Sequence, residues 1–91
     1  MLEQVRTNKF KKEVKLAQKR SKNMEKLKTV VLKLLFGESL EEKYRDHNLT
    51  GNYNGCRECH IEPDWLLIYT IDLENNKLWL FRTGSHADLF E

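Results

Sequence analysis

No run of apolar residues in this 91-residue sequence approaches the ~18–20 needed to cross a bilayer. The opening stretch, MLEQVRTNKFKKEVK, has basic residues but no apolar segment behind them, which argues against a signal peptide. These two absences lead us to expect a cytoplasmic protein without membrane contact. The chain is also short. A domain of this length buries only roughly 60–65% of its unfolded surface, so a shallow site at a sheet edge is expected rather than a deep cofactor cavity. There is no H-E-x-x-H, no carboxylate cluster and no P-loop, so metal hydrolysis and nucleoside-triphosphate chemistry are disfavoured, and neither metal nor cofactor is expected. Cysteine is scarce. Cys56 and Cys59 form a C-x-x-C, yet no second pair completes a zinc site, and residues three apart on a strand point to opposite faces. We read the pair as structural.

What the sequence does hold is charge, unevenly spread. With 40% hydrophobic and 33% charged residues, the composition fits one globular domain over residues 1–91. Its net charge of +2 conceals 13 Lys/Arg against 7 Asp/Glu in residues 1–47, and 3 against 7 in residues 48–91. Lysine-rich faces solvate helices, and they also attract phosphate by releasing counterions. Lys11 and Lys15 are the residues to which we assign that attraction.

Periodicity sets the expected fold. Leu2–Arg6 reads as a short edge strand. From Asn8, Phe10, Val14 and Ala17 recur at helical spacing, with lysines on the other faces. After a break at Ser21–Asn23, a second helix carries Met24, Leu27, Val30, Val31, Leu34 and Leu35, with Gly37 as its stop. Glu38–Asn54 reads as an irregular polar connection. Three strands come next, Gly55–Ile61, Trp65–Ile71 and Lys77–Thr83, and the middle one is apolar on both faces. Ser85 with Asp88 resembles a capping box that starts a short terminal turn. The expectation is a two-layer α+β domain of order β-α-α-β-β-β, a helical hairpin packed on a small, mainly antiparallel sheet.

An antiparallel meander brings distant residues together. His60, Asp64, Trp65 and Arg82 should meet at one sheet edge, with His86 returned there by Gly84 and His47 closing the other side. If His60 lies opposite Trp65 and Arg82 opposite Leu67, then His60, Trp65 and Arg82 share one face. A one-residue slip reverses that. All three histidines of the sequence thus fall beside one cleft. RNA cleavage without a metal needs such groups: a base for the 2′-hydroxyl, an acid for the leaving 5′-oxygen, and a cation for the phosphorane-like transition state. Histidine suits the first two roles, arginine the third, and Trp65 could stack on a base. Plainer readings exist for each: Asp64 as a turn residue, Arg82 as its ion-pair partner, Trp65 as part of the core, Ser85 as a cap.

The segments RDHNLTGNYNGCRECHIEPDWLLIYTI and LFRTGSHADLFE resemble the C-terminal half of the YafQ toxins, a subgroup of the RelE superfamily, and the basic hairpin with KLAQKR suits the same family. The resemblance implies a microbial RNase fold and cleavage of messenger RNA on the ribosome. It also implies a cognate antitoxin, through which alone operator DNA would be reached. By motif, His47, His60, Asp64 and His86 match the acid–base set, Arg82 the phosphate-stabilising residue, and Trp65 and Phe90 residues beside the substrate. Cys56 and Cys59 stand where an aromatic and a small residue would be expected. Glu91 replaces a terminal glycine and could repel phosphate near Phe90. Two alternatives belong to other classes. ParE-type toxins share the fold but poison DNA gyrase and would not need the His/Asp/Arg set present here. An inactive nucleic-acid-binding module would use the lysine-rich helices alone.

Overall fold

Thr7 ends the first strand, β1 (Glu3–Arg6), and begins the first helix: its Oγ1 accepts from the Phe10 amide at 3.0 Å and donates to the Phe81 carbonyl at 2.9 Å. The helix, α1 (Asn8–Lys19), buries Phe10 and Ala17. Asn23 caps α2 (Met24–Leu35) through the Glu25 amide at 3.1 Å. Gly37, at φ +73°, stops α2 in the left-handed conformation that glycine adopts without strain. In this computed structural model residues 1–90 are described; Glu91, and the expectation attached to its charge, lie outside them. None of the described helices is long and apolar enough to cross a membrane.

The sheet has five strands in the order β1-β5-β4-β3-β2, where β2 is His47–Asn48, β3 Arg57–Glu62, β4 Trp65–Asp72 and β5 Lys77–Gly84. Only the β1–β5 pair is parallel. A last short helix, α3, covers His86–Phe90. The helical hairpin lies on one sheet face, where Leu27, Val30, Val31, Leu34 and Leu35 pack on Ile61, Leu67, Tyr69, Leu78 and Leu80. A smaller apolar cluster on the other face joins Leu66, Ile68 and Leu89, with Tyr53, Cys56 and Phe81 against it. The α+β hairpin-on-sheet architecture is therefore the expected one.

Two things differ. The polar connection contains β2 and two 3-10 turns, Glu42–Tyr44 and Gly51–Tyr53. A two-residue strand has no period of its own; it exists because β3 offers an edge to pair with. The second difference is register. The Asp72–Lys77 turn is symmetric as expected, but a bulge after Ile68 places Arg82 opposite Ile68 rather than Leu67. Another bulge places Glu62 opposite Trp65 and His60 opposite Leu66. Each bulge inserts one residue and so flips the side chains beyond it to the other face. His60 and Arg82 remain together on the face opposite the helices, and Trp65 turns into the core. The cysteines divide as expected, Cys59 into the main core and Cys56 into the smaller cluster. Burial, helped by the Asp46 and Glu58 charges, pushes the Cys59 thiol up to about 12, which leaves it inert at neutral pH.

Candidate active site

The short β2–β3 ladder places His47 directly across from Glu58, and His60 comes two residues further along on the same face. The ladder is braced from below. Asp46 accepts from Arg57 Nε and Nη2 and from the Tyr69 hydroxyl, while Arg57 Nη1 donates to Asn48 at 2.7 Å. The Asp46 carboxylate holds the Arg57 guanidinium above its ordinary range. This brace fixes the backbone on both sides of His47.

The three imidazoles form a row, with centroids 6.3 Å apart for His47–His60 and 5.7 Å for His60–His86. His47 Nδ1 lies 2.7 Å from the Arg45 carbonyl and His60 Nδ1 lies 3.3 Å from that of Pro63. A carbonyl only accepts, so each Nδ1 carries a hydrogen and each Nε2 is turned elsewhere. Both Nε2 atoms face Oε1 of Glu58, at 3.4 and 3.6 Å. Glu58 is only 5% exposed, and its Oε2 has no hydrogen-bond partner. The carboxyl group thus stands between the two imidazoles, within ion-pair reach of both Nε2 atoms. Sequence reasoning missed Glu58. The signal lay in the alternation R-E-C-H, which puts Glu58 and His60 on one face, but a lone strand glutamate reads as solvated.

His86 arrives from the opposite side. Ser85 and Asp88 form a reciprocal capping box, at 2.9 and 3.1 Å. Gly84 permits the fold-back, because a Cβ there would meet Asp88 Cβ at 2.9 Å. Asp64 then accepts from both the His86 amide at 2.9 Å and Nδ1 at 2.6 Å. The backbone N–H first, and the imidazole after it, hold the Asp64 carboxyl below its usual range. With Nδ1 donating to Asp64, Nε2 of His86 is the ring nitrogen without a hydrogen-bond partner among the described residues.

Asp88 also carries a prediction. Its ion pair with Arg20, at 2.7 Å, and then the Ser85 amide, lower it from 3.8 to about 2. The depressed value means that the stabilisation is complete above the unfolded carboxylate value and is lost as pH falls toward about 2. Urea unfolding of Asp88→Asn between those limits should therefore show a flatter pH dependence than the parent. An unchanged slope would remove Asp88 from the acid response.

Arg82 lies in the same cross-strand row as His47, Glu58 and Ile68, roughly 10 Å of sheet from Glu58. It does not pair with Asp64. Glu13 of α1 grips its Nε and Nη2 at 2.9 and 2.7 Å, and Nη1 donates to the Tyr53 hydroxyl at 3.0 Å. Glu13, with Tyr53 behind it, raises the guanidinium above its ordinary range. Phe90 is half exposed and edge-on to Tyr53 at 6.0 Å. Trp65 is corrected: it is 1% exposed, and its Nε1 donates to Thr83 Oγ1, so neither ring face is open for a base. Lys11 and Lys15 stand exposed on α1, on either side of Glu13 in the sequence. Among the described residues, no three His, Cys, Asp or Glu side chains gather to hold a metal ion.

Comparison with known proteins agrees with this fold. The family described as "Bacterial toxin of type II toxin-antitoxin system, YafQ" matches residues 2–91. The mRNA interferase toxin YafQ of Escherichia coli K12 is 48% identical over 83 residues, which is 89% of this chain and 87% of that protein. A metal-bound toxin from Helicobacter pylori superposes with a TM-score of 0.93 at 41% identity, over 99% of this chain and all of the other. The E. coli DinJ–YafQ complex gives 0.91 at 41% identity, covering both chains fully.

Proposed function

The chain belongs to the YafQ family of bacterial type II toxins, and from that premise we propose that it is a messenger-RNA endonuclease working by metal-independent proton transfer on the ribosome. The observation that carries the reading is the row of three imidazoles, each fixed by a backbone carbonyl or a carboxylate. One imidazole takes the 2′-hydroxyl proton, the oxygen attacks the adjacent phosphorus, and a second imidazole protonates the departing 5′-oxygen. His47, His60 and His86 supply these groups, with Glu58 and Asp64 orienting them. Arg82, held in place by Glu13, Tyr53 and the Asp88 carbonyl, supplies the fixed positive charge for the developing phosphorane.

Lys11 and Lys15 attach the toxin to ribosomal RNA, and Phe90 lies beside the substrate. The partner that silences it in the cytoplasm is a cognate antitoxin, a reading supported by the toxin–antitoxin complex that the E. coli relative forms with DinJ; operator DNA is reached only through that antitoxin. The reading is tested by incubating the toxin with messenger RNA and translating ribosomes in excess EDTA. Cleavage should persist, with upstream fragments ending in 2′,3′-cyclic or 3′-phosphate. Loss of activity on chelation, with 3′-hydroxyl ends, would overturn it.

A further inference from the structure

The row of histidines opens at His60 into a groove of about 690 Å³, lined by Lys26, Lys43, Tyr44, Arg45, Ile61 and Pro63 among others. That volume lies in the range of small-ligand sites, roughly 300–1,000 Å³. Its charged lining residues are Lys26, Lys43, Arg45 and Glu62, and Tyr44, Ile61 and Pro63 give it apolar surface. Lys26 is tied to Glu62 at 2.9 Å, but the side chains of Lys43 and Arg45 have no anionic partner among the described residues. Lys43 is laid over the Tyr44 ring at 5.1 Å, while Lys33, 5.7 Å from the same ring, is paired with Glu41, so Lys43 and Arg45 are the cations this lip offers. Two contacts join the groove to the chemistry. The Arg45 carbonyl faces His47 Nδ1, and the Pro63 carbonyl faces His60 Nδ1.

We propose that this groove is a second substrate site, holding the single-stranded RNA segment next to the scissile phosphate, with Lys43 and Arg45 on its phosphates and the Ile61–Tyr44 wall against a base. This rests on the nuclease reading and extends its site toward α2, with a lining that does not include Lys11 or Lys15. A strand is favoured over an acidic peptide because the groove and the imidazole row share His60. A chain cut there must continue along one side of it. The paired requirement of phosphate charge and a flat apolar base is what single-stranded nucleic acid presents.

The test uses the full chain and a labelled oligoribonucleotide whose 2′-hydroxyls are methylated, so that it binds without being cut. Lys43→Gln with Arg45→Asn removes both cations; Asn suits the left-handed backbone of Arg45 (φ +47°). Affinity should fall about tenfold or more. The slope of log K against log salt should shrink by about 1.4, since a single strand contributes about 0.7 per neutralised phosphate. Wild-type binding should also shift the NMR signals of His60 and Ile61. No binding by the wild-type chain, or unchanged affinity and slope in the double variant, overturns the proposal. So does a variant that keeps its RNA affinity but loses the antitoxin, which would assign the groove to the antitoxin. Failure of the parent to cut messenger RNA on ribosomes, with oligonucleotide binding intact, would instead sink the nuclease reading and leave the groove standing.

Discussion

His86→Ala should slow single-turnover cleavage of ribosome-bound messenger RNA by roughly 10²–10⁴-fold, the usual contribution of one proton-transfer group. It should do so without unfolding the chain. The His86 side chain is 54% exposed, hydrogen-bonded to Asp64 and set beside the His60 ring, whereas α3 is anchored by buried Leu89. Antitoxin and ribosome binding should survive. Lys11→Glu with Lys15→Glu gives the opposite signature: weaker ribosome association with a changed salt dependence, and near-parental chemistry once the complex is saturated. Measuring both at saturating ribosome concentration separates chemistry from attachment. A parental rate for His86→Ala under those conditions would make His86 a structural residue and move the proton transfers to His47, His60 and Glu58.

Much of this site was legible because its members are tied to punctuation in the sequence. Asp64 comes directly after the only proline, and His86 after Gly84 and a capping serine, so turn chemistry alone forecasts their meeting. The helices were equally plain, since the apolar period begins after Asn8, breaks at Ser21–Asn23 and stops at Gly37. What escaped was decided by single-residue slips. The bulge after His60 puts Trp65 on the face opposite His60, and the one after Ile68 sends Arg82 to the face of His60; neither has a local sequence signal. Glu58 escaped for a different reason. Its burial depends on β2, whose two residues carry no pattern until β3 is in place. The partner of Arg82 was illegible too: Glu13 is 69 residues away, and only the docking of α1 beside the end of β1 brings it there.

That partnership leads to the second large effect. Glu13→Ala should destabilise the fold by about 3 kcal/mol, the low end for breaking a buried ion pair by removing one member. Arg82 and Glu13 are only 13% and 14% exposed, so the guanidinium would be left beneath the surface with its charge unanswered. The Thr83 amide, which donates to Glu13 at 3.3 Å, would lose its partner as well. Replacing both members, Glu13→Leu with Arg82→Met, should recover most of that stability, because an apolar pair of similar volume removes the stranded charge. Cleavage should not recover. The double variant would still lack the cation opposite the phosphorane, and stabilisation of that kind is worth on the order of 10²–10³ in rate. Urea unfolding of the four species of the cycle gives the coupling energy, and single-turnover cleavage of the double variant gives the catalytic term. A single variant within 1 kcal/mol of the parent would show that the pair is solvated and of little weight. A double variant that is stable and cuts at the parental rate would remove Arg82 from the chemistry, and leave the Glu13–Arg82 pair as a clasp between α1 and the sheet.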